Sequence, residues 1–424
     1  MKPFKVLLLF LFIFCSSVTT YTYGIDADND RYTVASKLVI NIENNFSNEE
    51  VKITVQSFPN NDNNIESYNL VFDMKFREDY ESEFTGICVG PKWEGFGSGE
   101  FSITLEKSNV PELKSGQLLI KTSKSLISTG TERMLLEFGN ANIINKVRQQ
   151  PDKVKMVLNK IQTDGLSQTI KSVKNKLDEP ISMGYSSVGR VINKGKNVDN
   201  ISIGDRVISN GPHAEVVKVS KNLCAKVPEN ISDERAVFTV ISSIALQGVR
   251  LADPTIGESF VVIGAGLIGQ LTSQILLANG CRVLVSDYDN SRLDLIKKPG
   301  IDICRLSDSE NLHDSANRFS KKRGVDGVII TASTSSNEPI ASAAQITRKR
   351  GRIVLIGTTG LTINRDDFYE KEISFQVSCS YGPGRYDYLY EEKGIDYPYG
   401  FVRWTEKRNF EAILTLMKKG LINT

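Results

Sequence analysis

The chain has 424 residues, which at roughly 100–200 residues per domain is enough for two or three domains with cores of their own. Lys and Arg number 52 against 50 Asp and Glu, a formal charge of +2, and no run of like charge is long enough to act as an arm for nucleic acid or a membrane surface. Hydrophobic residues at 40% and charged residues at 24% exclude a disordered or collagen-like chain.

In chain order, Lys2 and Lys5 precede the apolar run Val6 to Phe14, and a small polar stretch, Ser16 to Thr20, follows. This layout predicts a secretory leader over residues 1–24. The run is well short of the ~20 residues that cross a bilayer, so no integral membrane span is expected after cleavage. Residues 25–96 alternate in short runs such as Leu38 to Ile42, Val51 to Val55 and Tyr68 to Phe72, separated by Asn- and Asp-rich turns. They predict a small β-rich segment with no visible chemistry.

The strongest signal follows Gly257. Ser259-Phe260-Val261-Val262-Ile263 is a short buried-strand pattern that enters Gly264-Ala265-Gly266-Leu267-Ile268-Gly269, after which Gln270 to Asn279 has helical apolar spacing. In such a strand, turn and helix, Gly264 permits the tight bend, Gly266 lets backbone approach a pyrophosphate, and Gly269 lets helix and strand pack closely. The amides of Leu267 and Ile268 stand at the helix start. The next strand, Cys281 to Ser286, ends at Asp287, near the ~20-residue offset at which a carboxylate accepts from the ribose hydroxyls, with Arg292 close behind. An acid there repels a 2′-phosphate and predicts NAD(H) rather than NADP(H). Strand patterns at Gly327 to Ile330 and Arg352 to Gly357 complete a parallel α/β sheet, with Gly357 at its rim.

The six cysteines, Cys15, Cys88, Cys224, Cys281, Cys304 and Cys379, include no C-x-x-C pair, and the histidines are only His213 and His313. A structural four-cysteine zinc lobe is thereby excluded, and three of the cysteines lie in apolar runs where reduced buried thiols are expected.

Upstream, Val110-Pro111-Glu112-Leu113 to Lys121, Gly184-Tyr185-Ser186-Ser187-Val188-Gly189-Arg190-Val191, Gly204-Asp205-Arg206-Val207, Ala214-Glu215 and Val227-Pro228 occur in an order that resembles the medium-chain, alcohol-dehydrogenase-like oxidoreductases. The resemblance runs from about Gly97 to the last residue. It implies an α/β chain with a doubly wound Rossmann parallel sheet and a GroES-like β-rich catalytic domain. The expected domains are a catalytic one at 97–250 with a helical insertion at 132–180, a Rossmann one at 251–400, and a return toward the catalytic domain at 401–424. The motifs Ser128-Thr129-Gly130-Thr131-Glu132, Arg148-Gln149-Gln150-Pro151-Asp152, Gly184-Tyr185-Ser186 and Ala245-Leu246-Gln247-Gly248-Val249-Arg250 resemble a narrower group. These are the first halves of bi-domain oxidoreductases of bacterial surface-polysaccharide clusters, whose glucose/fructose oxidoreductase-type second half is not in this chain.

Where zinc-dependent members place cysteine, histidine and glutamate, this chain has Ser128 to Glu132 and then Tyr185 and Ser186, none of them a soft ligand, so no metal is expected. Thr131 and Tyr185 then become candidate proton donors, with Glu132 to orient either; packing and helix capping are the competing roles. His213 is read as a structural histidine. In the aromatic-rich stretch from Tyr381 to Trp404, rings such as Tyr381 can stack on a sugar while Arg385 or Arg403 binds a carboxylate or phosphate; wedging of the loop against the catalytic domain is the alternative.

The predicted function is zinc-independent hydride transfer between NAD(H) and an alcohol or carbonyl of a sugar-like small molecule, with no nucleic-acid partner and a homo-oligomer left open. The dinucleotide site implies the cytoplasm while the leader implies export, and the expectation is an unusual fusion or a gene-model join at the amino-terminal seam and a truncation at the carboxy-terminal one. Two rival functions are an exported glycan- or partner-binding protein with an inert α/β scaffold, and an NADPH-dependent quinone- or enoyl-reductase-like enzyme.

Overall fold

The computed structural model describes residues 70–73, 83–92, 100–128, 130–132, 181–307 and 311–424. The leader, most of the 25–96 segment and the helices expected between 133 and 180 lie outside the described residues.

The first half is antiparallel β. One sheet runs β1 (Leu70–Asp73), β4 (Gln117–Ile127), β6 (Ser187–Lys194), β7 (Arg206–Ser209), β9 (Cys224–Lys226), with β8 (Val216–Ser220) also on β4. A smaller sheet runs β3 (Glu100–Asn109), β2 (Glu83–Lys92), β5 (Ile181–Ser182). Successive residues on these strands face opposite ways and so enter different cores. Leu118, Ile120, Val191, Val207 and Val217 fill the interior of the β domain. Val188 and Ile208, at alternate positions, and Leu126, beyond the register shift between Thr122 and Lys124, join a second cluster shared with Phe260, Val283 and Ile329 of the other half.

The β domain does not begin at 97. Strand β1 pairs with β4 in the register Leu70 to Ile127 through Asp73 to Lys124, and β2 pairs with β3 along its length. Two strands of the segment expected to stand alone are therefore built into the catalytic sheets. An edge strand offers a row of unpaired backbone groups to any extended neighbour, and a boundary drawn where a motif resemblance begins carries no trace of that pairing.

The second half is a six-stranded parallel sheet in the order β12 (Ile301–Arg305), β11 (Arg282–Asp287), β10 (Ser259–Ile263), β13 (Val325–Ile330), β14 (Thr347–Leu355), β15 (Ser374–Val377). By position in the half this is 3-2-1-4-5-6, the doubly wound order whose crevice lies beyond the carboxyl ends of β10 and β13. All five residues of β10 are buried, as a central parallel strand requires. Strands β12 and β15, which lie at the two ends of the sheet and carry exposed residues, lack the continuous apolar run that marks the centre.

Helix α1 (Thr239–Ala252) precedes β10, and α2 (Leu267–Ala278) follows it. Residues 233–252 form the one stretch among the described residues long and apolar enough to cross a membrane. Val240, Ile241, Ala245, Leu246 and Val249 in it are buried in the shared core, which accounts for its hydropathy. The last helix, α3 (Glu406–Lys418), buries Phe410, Ile413, Leu414 and Met417, the i, i+3, i+4, i+7 stripe of an amphipathic helix. It packs on both α1 and β9, tying the end of the chain to both halves.

Candidate active site

At the carboxyl end of β10 the backbone bends through Gly264, whose φ is +105° and where a Cβ would lie 2.8 Å from the amide nitrogen of Ala332. Gly269, on the first turn of α2, sits so close that a Cβ would fall 1.9 Å from the Gly264 carbonyl oxygen. Gly266 is the opposite case: a Cβ there would meet nothing within 4 Å. Its open side adjoins the start of α2, which has no side-chain cap, so the amides of Leu267 and Ile268 are left for a ligand.

Asp287 faces this turn. Its Oδ2 accepts from the Ala265 amide at 2.7 Å, and its Oδ1 accepts from the Asp289 amide at 2.9 Å. Arg292 Nη1 is 4.0 Å from Asp287 and its Nε is 3.2 Å from Asp289, so the arginine stands at the rim of the carboxylate site. Gly357 serves the backbone. A Cβ there would fall 2.1 Å from the Ala332 carbonyl oxygen, and its amide donates to the Ile330 carbonyl at 3.0 Å, closing the ends of β13 and β14 together. Thr331, which sequence reading passed over, donates its hydroxyl to the Gly264 carbonyl at 2.8 Å and braces the turn. Its signal was its place one residue past a predicted strand at the switch point. An open glycine, uncapped helical amides and a carboxylate aimed at the same turn fit a dinucleotide.

In the β domain, Tyr185 Oη lies 3.4 Å from Thr131 Oγ1. Tyr185 packs against the shared core, and burial pushes its phenol above the ordinary tyrosine value; hydrogen bonds with Ser128 and Thr131 oppose the rise and the nearby Glu132 carboxyl adds to it. Glu132 is only 3% exposed and makes a different connection from the one expected. Its Oε1 accepts from the Ser128 amide at 2.9 Å, and its two oxygens lie 3.3 and 3.2 Å from His213 Nε2. His213, 1% exposed, reaches Ser125 Oγ through Nδ1 at 2.9 Å. Gly184, with φ +89°, lies flat against the imidazole, where a Cβ would come within 2.6 Å of the ring. The pair thus fixes the turn from Ser128 to Glu132 and, with it, the two hydroxyls that face Tyr185.

Phenol and hydroxyl oxygens do not make a zinc site, and Ser186 is committed, donating to the Val237 carbonyl at 2.5 Å. Among the described residues no group of three or more His, Cys, Asp or Glu side chains could hold a metal ion. The donor set does not fit zinc.

The aromatic stretch divides. Tyr381 is 4% exposed, packs on Phe410 with ring centroids 5.4 Å apart, and accepts at its hydroxyl from Asn210 Nδ2 at 3.3 Å. Placed this way it is a wedge between the halves and not a platform for a sugar. Arg385 is spent on Glu391 at 2.5 Å. Arg403 alone of the three is exposed, stacked on Trp404.

Residues 268–392 match the family model described as zinc-binding dehydrogenase. A D-guloside 3-dehydrogenase of Escherichia coli K12 is 28% identical over 251 residues, 57% of this chain and 67% of that protein. The chain is similar to the medium-chain dehydrogenase/reductase superfamily over these residues. Human sorbitol dehydrogenase, another relative of this oxidoreductase, is 23% identical over 211 residues, 42% of this chain and 59% of that protein. A structure described as a short chain alcohol dehydrogenase of Escherichia coli CFT073 in complex with NADH shares the fold with a TM-score of 0.57 at 17% identity, over 81% of this chain and 89% of that one.

Proposed function

We propose that this oxidoreductase is an NAD(H)-dependent, zinc-independent dehydrogenase of a sugar or polyol. The observation that carries the reading is the Asp287 carboxylate hydrogen-bonded to the Ala265 amide inside an open glycine turn, together with a phenol where the superfamily's metal-dependent members hold a ligand. The names of the relatives, guloside and sorbitol dehydrogenases, support the substrate class. The resemblance to oxidoreductases of surface-polysaccharide clusters supports a place in making such polymers, in a compartment that holds the cofactor.

The residues that would hold the dinucleotide are Gly266, Leu267 and Ile268 at its phosphates and Asp287 at its ribose. Bound there, it supplies the hydride acceptor or donor. Tyr185 holds a proton at its Oη for the substrate oxygen, and its raised pKa keeps that proton in place at neutral pH. Thr131, 3.4 Å away and partly exposed, relays the proton between the phenol and solvent, and Glu132 with His213 keeps the Thr131 turn in register. Titration of the full chain with NADH and NADPH, read by cofactor fluorescence and thermal shift, tests the assignment. Preferential binding of NADH is expected, and no response to either dinucleotide removes the redox reading.

A further inference from the structure

Away from the glycine turn, Arg250 of α1 and Arg403 share one indole. Arg250 Cζ lies 3.3 Å from the Trp404 ring centroid and Arg403 Cζ lies 3.6 Å from it. Two guanidinium groups so near one centroid fit only on opposite faces, so Trp404 is sandwiched. The column continues through Tyr399, with Arg403 4.6 Å and Arg408 5.1 Å from its centroid. Arg408 is neutralised by Asp396 at 2.6 Å. Among the described residues neither Arg250 nor Arg403 has a carboxylate within ion-pair distance; Arg250 spends its Nε on the Asn409 amide oxygen at 2.7 Å and keeps both Nη groups.

Half-burying a cation and setting a second one across an indole costs free energy through desolvation and repulsion. Stacking on the ring returns only part of it. Burial first, and the charge of Arg403 second, pull Arg250 down to about 10, so it is still charged at neutral pH. Among the described residues no carboxylate offsets the pair. We propose that the Nη groups of Arg250 and Arg403 flanking the edge of Trp404 form a binding site for a phosphate group. A dianion matches the two unpaired charges, and guanidinium forks match its oxygens. The site shares no residue with the dinucleotide turn, and its assignment does not depend on the redox reading.

Trp404 and Trp93 are the two tryptophans of the chain, so the full-length Trp93→Phe protein reports on this site through Trp404 emission. Sodium phosphate and glucose 1-phosphate are titrated against sodium chloride at matched ionic strength. A saturable change with either phosphate that chloride does not reproduce is expected, weakened at least tenfold by Arg403→Ala, which alters an exposed residue, and by Arg250→Gln. Tighter response to the sugar phosphate assigns the site to a phosphorylated ligand, and tighter response to inorganic phosphate assigns it to the free ion; either supports the site. A response equal to that of chloride, an Arg403→Ala protein that titrates like its parent, or equal weakening by Asp287→Ser at the dinucleotide turn overturns it.

Discussion

At the scale of single residues, the proposed chemistry turns on one phenolic proton. Replacing Tyr185 with Phe removes the donor but keeps the ring that packs on the core. Turnover is therefore expected to fall by roughly 10²–10⁴-fold with dinucleotide affinity unchanged. Steady-state kinetics beside an NADH titration checks this, and unaltered turnover would end the phenol's role. His213 acts through packing and hydrogen bonds. His213→Ala leaves the buried Glu132 carboxyl with the Ser128 amide alone, at a cost of roughly 1–3 kcal/mol, read as a lower midpoint in urea. Asp287→Ser removes the charge that repels a 2′-phosphate and leaves Arg292 at the rim; the ratio of kcat/KM for the two dinucleotides is expected to move toward NADP(H) by about tenfold or more. The close approaches at Gly264 and Gly269 and the place of Asp287 beside the turn were legible in sequence, because such approaches admit one residue type and the acid ends the next predicted strand. The Glu132–His213 contact was not, since it spans 81 residues and no local pattern encodes it.

At the scale of elements, the α2 start and the α3 start behave differently. Gly269→Ala drives a methyl against the Gly264 carbonyl, so the helix must move off the strand. The overpacking costs about 1–3 kcal/mol, and the phosphate site is lost with it, measured as a lower thermal midpoint and a vanished NADH response. The first residue of α3, Glu406, is fully buried beside Glu391 and Arg385, and burial above all pushes its carboxyl up to about 9. The folded protein then keeps a proton that the unfolded chain releases near its ordinary carboxyl pKa. Stability is greatest below that value and falls as pH rises through neutrality toward 9. Thermal midpoints from pH 5 to 9 are expected to fall in the parent and to flatten in Glu406→Gln; parallel curves would show that another group governs the slope. The amphipathic stripe of α3 is visible in sequence, but the burial of Glu406 follows from the Tyr381 loop folding over it.

At the scale of the whole molecule, the two halves share one core. Leu126, Val188 and Ile208 from the β sheet interleave with residues of α1, the parallel sheet and α3. Neither face can be exposed without exposing the other, so calorimetry is expected to give one unfolding transition followed alike by Tyr and Trp signals. Separate β-domain and Rossmann transitions would contradict the shared core. The boundary placed at 96/97 concealed this continuity on the β side, where β1 and β2 enter the catalytic sheets by backbone pairing that side-chain composition does not reveal.

What the amino-acid order determined by itself was local: the buried run of β10, the glycine turn, the acid ending β11 and the missing soft ligands at 128–132 and 185–186. Each depends on backbone geometry or donor chemistry within a few residues. Tertiary structure alone decided that Glu132 meets His213, that Tyr381 is a wedge while Arg403 stays exposed, and that Arg250 and Arg403 take opposite faces of Trp404. Those are contacts between segments far apart in the chain, and their energies exist only once burial has brought the segments together.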